Sequence, residues 1–334
     1  MNETTITPDD AHALVVAALI ASDTSRENAE SVARALVGAE LVGQGGHGLR
    51  RVAAYTAQAR VGKVNGQARP TAKQMRPAAI LVDAGHGFAF PALDLAIDTI
   101  DPMAREQGIA MAGITRSHHA GVAGLTVEAL ADRGLVALMF ANTPAAMAPW
   151  GGRRALFGTD PVAFACPADD APPIVVDVSL SKVARGKIMA ANQSGKPIPE
   201  GWATDAEGRP TTDAAAAMNG FMVPLGDAKG TALALMVELL CAGLTGANFA
   251  FEQSSLFDAE GAPPGNGQMI IAIDPALFSG NALARFGLMA EAIAGQEGAR
   301  VPGSRRHAMR QRFMRDGIPV ETDLLDQIRR IAGG

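Results

Sequence analysis

The chain has little of what marks a specialised binding or secreted protein. Two cysteines in 334 residues, Cys166 and Cys241, supply no disulfide framework. Both lie in apolar runs, where reduced core cysteines of a cytoplasmic protein are expected. Aromatic residues make up only 4% of the chain and do not alternate with basic ones. That excludes the stacking platform of a single-strand nucleic-acid binder, and a net charge of −5 gives no general nucleic-acid surface. No basic segment followed by an apolar run opens the sequence, so no secretory signal is read. The longest apolar stretch, residues 231–251, contains Glu238 and many small residues and reads as a buried helix rather than a membrane span. Histidines number six, with no cysteine pair at ligand spacing, so no metal site is assigned. What remains is a globular composition, 48% hydrophobic and 19% charged, long enough for two or three domains.

Residues 142–187 are the densest part of the chain. Residues 163–166 and 174–178 are short apolar or β-branched runs bounded by Pro, Gly and Asp, the pattern of buried strands. Gly151, Gly152 and Gly158 punctuate the loops around them. Asp177 stands near the end of a strand otherwise made of Ile and Val. An unpaired carboxylate is costly there, so a hydroxyl, a cation, a backbone amide or a ligand is expected against it.

Around this centre, helix starts are read at Thr7-Pro8-Asp9-Asp10 and at the capping box Thr24-Ser25-Arg26-Glu27. The second helix runs into Gly43-Gln44-Gly45-Gly46-His47-Gly48, which matches the glycine spacing of a dinucleotide-binding loop. A Rossmann fingerprint must follow a strand, and this one follows an amphipathic helix, so that reading is rejected. Strands are predicted over 79–82, 109–114, 135–141 and 268–273, and helices over 49–60, 91–107, 125–133 and 230–244. Helical patterns return after residue 282. The expected organisation is a helical domain of residues 1–75 completed by 282–334, enclosing an α/β domain of residues 76–281.

His47 and Arg51 are four apart, which on a helical turn places imidazole and guanidinium on one face. A guanidinium grips a carboxylate through two parallel hydrogen bonds, and an imidazole trades a proton near neutral pH. The same pair also suits an ordinary exposed turn at a glycine-rich junction. His118 and His119 are adjacent, so on extended chain they point opposite ways and do not share a metal.

APWGG at 148–152, FGTDP at 157–161 and D-x-S-x-S-x-V-A-R-G-K at 177–187 together resemble the malate/L-lactate dehydrogenase family that lacks a Rossmann fold. The resemblance extends from the His47 region to about Gly303. It implies a mixed α/β fold with a largely antiparallel cofactor-binding sheet and a discontinuous helical domain. It also implies an NAD(P)-dependent oxidoreductase, with NADP favoured over NAD. Hydride would pass between nicotinamide and C2 of a small anionic 2-oxo or 2-hydroxy acid, or of a cyclic 2-imino acid. Relatives are dimers with sites near the subunit interface, so a homodimer is expected.

The family pattern S-H-G-x-x-R falls on Gly46-His47-Gly48-Leu49-Arg50-Arg51, which makes His47 the acid/base and Arg51 the carboxylate ligand. The pattern S-N-H-F-G falls on residues 117–121 and makes His119 a second acid/base candidate, the alternative being a histidine hydrogen-bonded at a strand end. Asp177 is carried over to the catalytic site and the coenzyme, Thr159 to the substrate, and Thr143, Ser179, Lys229, Gly303 and Ser304 to the coenzyme. Arg185 and Lys187 are either phosphate contacts or caps of a strand-to-helix passage. Three positions depart from the pattern: Gly46 replaces a Ser, His118 an Asn and Asp160 an Asn. Glu238, inside an apolar helix, reads as a buried structural hydrogen-bonder.

Overall fold

The computed structural model describes residues 3–169 and 171–333. After β1 (Glu3–Ile6), the Thr7 hydroxyl accepts from the Asp10 amide at 3.1 Å and starts α1 (Pro8–Ile20), with Pro8 in the first turn as read from the sequence. The cap of α2 (Arg26–Leu41) is Ser25, which accepts from the Asn28 amide at 3.2 Å. Thr24, the expected cap, is buried and bonds the Ser22 carbonyl instead. Two separate 3-10 turns, Gly45–His47 and Leu49–Arg51, precede α3 (Val52–Arg60), so the expected single helix of residues 49–60 begins late.

A seven-stranded sheet forms the frame. Its strands are β2 (Thr71–Arg76), β3 (Ala79–Asp83), β4 (Ile109–Ser117), β5 (Val136–Ala141), β6 (Val162–Ala168), β7 (Ala171–Val178) and β10 (Asn266–Ile273). The order is β2-β3-β4-β10-β5-β6-β7. Among the described residues, the β3–β4 pair is the one parallel pairing of this sheet's strands, because α4 (Ala89–Gln107) carries the chain across between them. The sheet is therefore largely antiparallel, as the resemblance implied. Residues 193–210, read as a loop, hold α6 (Arg185–Gln193) at one end and a two-residue pairing of β8 (Ala203–Thr204) with β9 (Pro210–Thr211) at the other. Then come α7 (Ala214–Met218) and α8 (Ala228–Glu238), which passes into a π turn over Leu239–Gly243 where one continuous helix was expected.

After β10 follow α9 (Ala282–Ala294), α10 (Ser304–Asp316), β11 (Ile318–Glu321) and α11 (Thr322–Gly333). β11 pairs antiparallel with β1, joining the chain's two ends. The main core joins α1, α2 and α3 to the sheet through Leu19, Leu36, Tyr55, Ile100, Ile114 and Ile270, all fully buried. A second core around Met147, Phe157, Ile188 and Cys241 fills the other side of β5 and β10. Among the described residues no helix is long and apolar enough to cross a membrane.

Candidate active site

Glycine and a carboxylate shape the turn that presents His47. Glu40, on α2, accepts the Leu49 amide at 2.7 Å, and its carboxylate lies where a Cβ on Gly48 would be, 2.2 Å from that position. A larger residue at 48 would have to push the Glu40 carboxylate off the Leu49 amide. The turn brings His47 Nδ1 to 3.2 Å from His119 Nε2. His119 Nδ1 in turn lies 2.6 Å from the Tyr55 hydroxyl. Tyr55, His119 and His47 thus form one row, with Nε2 of His47 at its open end.

Burial sets the charge of this row. Desolvation, with Arg51 nearby, pushes the His47 pKa down to about 4. His119 is held well below the usual histidine range by burial, then by Arg51, and the Tyr55 phenol is pushed up by burial. All three are uncharged at neutral pH. Protons can run along the row in two senses. The sense that leaves His47 Nε2 to give and take a proton has His47 Nδ1–H donating to His119 and His119 Nδ1–H donating to Tyr55.

Arg51 does not share a helical face with His47, since Gly48 separates their turns. Its side chain folds back so that Nε donates to the Gly46 carbonyl at 2.8 Å, and the Phe257 ring covers one face of the guanidinium, 4.6 Å from Cζ. Among the described residues, its two Nη groups have no protein partner. A Cβ at Gly46 would meet nothing within 4 Å, so the space beside His47 is open. His118 has a different partner, with Nε2 2.8 Å from Gln58 Oε1, although its ring and that of His119 both pack on Tyr55, at 5.4 and 6.2 Å.

Asp177, on β7, has the partners its burial calls for. Its Oδ2 accepts from Arg306 Nη2 of α10 at 3.2 Å and from the Gly124 amide of α5 (Ala123–Ala131) at 3.1 Å. Desolvation still raises its pKa, opposed by Arg306. Gly303 joins this group, its φ of +93° and close approach to Val175 admitting only glycine. Ser304 begins α10, whose first turn has no side-chain cap. The segment from His119 to Gly124 links this group to the histidine row.

A third group sits at the ends of β5 and β6. Thr143 Oγ1 accepts the Thr159 amide at 2.9 Å, and the Leu180 amide bonds the Thr159 carbonyl at 2.8 Å, tying in Ser179. Asp160, expected to add charge beside Thr159, is instead fully buried against Glu238. Burial first, and Glu238 second, drive its pKa well up, so the pair is not doubly charged. Glu238 accepts from the Ala250 amide at 3.0 Å and Asn142 Nδ2 at 3.3 Å, the structural hydrogen bonding read from its position. Lys229 stands apart, exposed in the first turn of α8, with no hydrogen bond to the other candidates among the described residues. Arg185 reaches the Met218 carbonyl at 3.2 Å, and Lys187 is exposed. Tyr55 and Arg306 were missed by sequence reasoning. Tyr55 had a signal, since it is the chain's single tyrosine and lies four residues beyond Arg51.

Compared with known families, residues 6–329 match malate/L-lactate dehydrogenase. The chain belongs to this family. It is 51% identical over 323 residues to a (2R)-3-sulfolactate dehydrogenase (NADP(+)) of Chromohalobacter salexigens, covering 97% of this chain and 96% of that one. It is 39% identical over 319 residues to a Δ1-pyrroline-2-carboxylate/Δ1-piperideine-2-carboxylate reductase of Pseudomonas aeruginosa, covering 94% and 95%. The Δ1-piperideine-2-carboxylate reductase structure from Pseudomonas syringae superposes with a TM-score of 0.93 at 35% identity over 98% of this chain and 99% of that one. The sulfolactate dehydrogenase structure from Methanocaldococcus jannaschii gives 0.88 at 27% identity over 99% and 97%. This family member is an NAD(P)-dependent oxidoreductase.

Among the described residues, the first turn of α10 offers amides without a side-chain cap, Gly303 allows close backbone approach, and Arg306 Nε and Nη1 have no partner. Such a set suits the phosphates of a dinucleotide.

Proposed function

We propose that the protein is an NADP-dependent 2-hydroxy-acid dehydrogenase whose substrate carries a second anionic group, of the 3-sulfolactate and 3-sulfopyruvate kind. The observation that carries this reading is 51% identity along 97% of the chain to an enzyme of that name, against 39% to a cyclic-imine reductase. The site agrees with it. Gly46 leaves open space beside His47 and provides no hydroxyl, while Arg51 keeps two Nη groups for a carboxylate.

When bound, the nicotinamide coenzyme supplies the hydride that reaches C2, or takes it back. Arg51 holds the substrate carboxylate and so fixes which face of C2 is presented. His47 Nε2 gives its proton to the C2 oxygen as the carbonyl π pair moves onto it, and recovers the proton in oxidation. His119 and Tyr55 orient that imidazole. Thr159 lines the substrate site, with Thr143 braced against it. Asp177, Ser179, Lys229, Gly303 and Ser304, together with Arg306, receive the coenzyme.

We place the enzyme in the cytoplasm as a homodimer. Exposed Leu233, Leu235, Met236 and Leu239 on and after α8, and Leu288 and Met289 on α9, supply apolar surface for a second copy. Cys166 and Cys241 are free and buried, which suits a reducing compartment. The pairing of β1 with β11 supports one helical domain formed by residues 1–75 and 282–334 around the α/β domain of 76–281. The test of the substrate reading is a panel of initial rates with NADPH and NADH against sulfopyruvate, oxaloacetate, pyruvate and piperideine-2-carboxylate. Highest kcat/KM with sulfopyruvate and NADPH is expected; preference for the cyclic imine would overturn the reading.

A further inference from the structure

Between the 3-10 turn Ala250–Glu252 and β10, residues 254–261 form a strap with no regular structure of its own. What holds it is a buried ammonium. Lys63, which follows α3, has a side chain only 1% exposed, and its Nζ donates to the carbonyls of Ser255 at 2.7 Å, Asp258 at 3.1 Å and Glu260, and reaches Asp258 Oδ1 at 3.2 Å. Burying a cation is costly unless its protons are satisfied, and here the strap's own backbone satisfies them. Gln58 of α3 adds a second tie, donating to the Asp258 carbonyl at 2.9 Å while its Oε1 lies 2.8 Å from His118. Internal bonds from the Phe257 amide to Ser255 Oγ at 3.1 Å and from the Glu260 amide to Asp258 Oδ1 at 3.0 Å tighten the turn.

The clamp sets one side chain against the site. Phe257 lies across the Arg51 guanidinium at 4.6 Å, and the residue is 54% exposed, so no core packing accounts for its placement. An aromatic face restrains the plane of a guanidinium and lowers the entropy it loses on binding. With Nε on the Gly46 carbonyl and the ring on one face, the edge carrying the two Nη groups is left for a planar anion. We propose that Phe257 is a substrate-site residue that sets the plane of Arg51, and that Lys63 and the strap position it there. The proposal rests on the reading of Arg51 as the carboxylate ligand.

It makes Phe257 a determinant of substrate KM with little part in coenzyme binding. The experiment uses the full-length enzyme with sulfopyruvate, or with the best substrate of the panel, and follows KM, kcat and NADPH affinity by nucleotide fluorescence. Phe257→Ala is expected to raise KM about tenfold, with kcat within threefold and NADPH affinity unchanged, and Phe257→Trp to restore KM. Lys63→Met should speed hydrogen exchange in residues 255–260 and raise KM in the same way. Arg51→Ala is the control for the underlying reading. If it leaves KM unchanged, the role of Arg51 fails. If it raises KM while Phe257→Ala does not, or if Lys63→Met loosens the strap without moving KM, the inference about the strap is overturned.

Discussion

The Tyr55 hydroxyl lies 2.6 Å from His119 Nδ1, and this contact fixes the far end of the row that ends at His47. Tyr55 is fully buried, so its oxygen has no water to turn to. Removing it strands His119 Nδ1 in the core and favours the opposite tautomer, which takes from His47 Nδ1 the acceptor that frees Nε2. Tyr55→Phe is expected to lower kcat about 10- to 100-fold with KM changed less than threefold, read from steady-state kinetics.

The pH dependence of the two directions should differ. Burial and then Arg51 hold His47 at about 4, so the free enzyme carries it neutral above that pH. On the proposed role of His47, neutral imidazole is the base for oxidation, and kcat/KM for the hydroxy acid should be flat across neutral and alkaline pH. Reduction needs the protonated form, and its kcat/KM should fall roughly tenfold per unit as pH rises above the His47 value. The linkage for folding has the same origin. With its folded pKa depressed, His47 contributes full stability above its unfolded value and loses it as pH falls toward about 4.

The Asp160 and Glu238 carboxyls have the reverse sign. Both pKa values are raised by burial, so the folded state holds a proton that the unfolded state releases, and stability declines as pH climbs above the unfolded carboxyl range. Asp160→Asn supplies a donor that does not titrate. Thermal denaturation should show it stabilised by about 1–3 kcal/mol at alkaline pH, with the gain shrinking as pH falls toward the unfolded carboxyl pKa.

Gly124 is where α5 meets the Asp177–Arg306 pair proposed to receive the coenzyme. A Cβ there would stand 1.9 Å from Arg306 Nη1 and 2.8 Å from Asp177 Oδ2. Gly124→Ala must displace Arg306, and we expect NADPH affinity to fall about tenfold or more, measured by fluorescence titration, with sulfopyruvate KM at saturating NADPH little changed.

The sheet and most helices were legible in the sequence because apolar runs with Gly and Pro boundaries reported buried strands, and capping hydroxyls reported helix starts. β2 was not, since all six of its residues are exposed at the sheet edge and TAKQMR carries no alternation. The π turn after Glu238 was hidden because its residues are as helical in composition as α8 itself. The demand of Asp177 for a partner was readable from the cost of burying it. That the partner is Arg306 was not, because 129 positions separate them and only the return of α10 onto β7 brings them together. His47 and Arg51 were found by spacing and resemblance, but their geometry was misread, since Gly48 breaks the helical turn that spacing assumed.

The central claim is that His47 moves the proton that accompanies hydride transfer. Its most direct test is the rate of NADPH oxidation with sulfopyruvate by the parent and His47→Ala enzymes, alongside NADPH fluorescence titration of both. The account predicts turnover by the parent, a loss of about 100-fold or more in the variant, and equal NADPH affinity. A variant that binds NADPH normally and keeps its rate within a few-fold of the parent would contradict it.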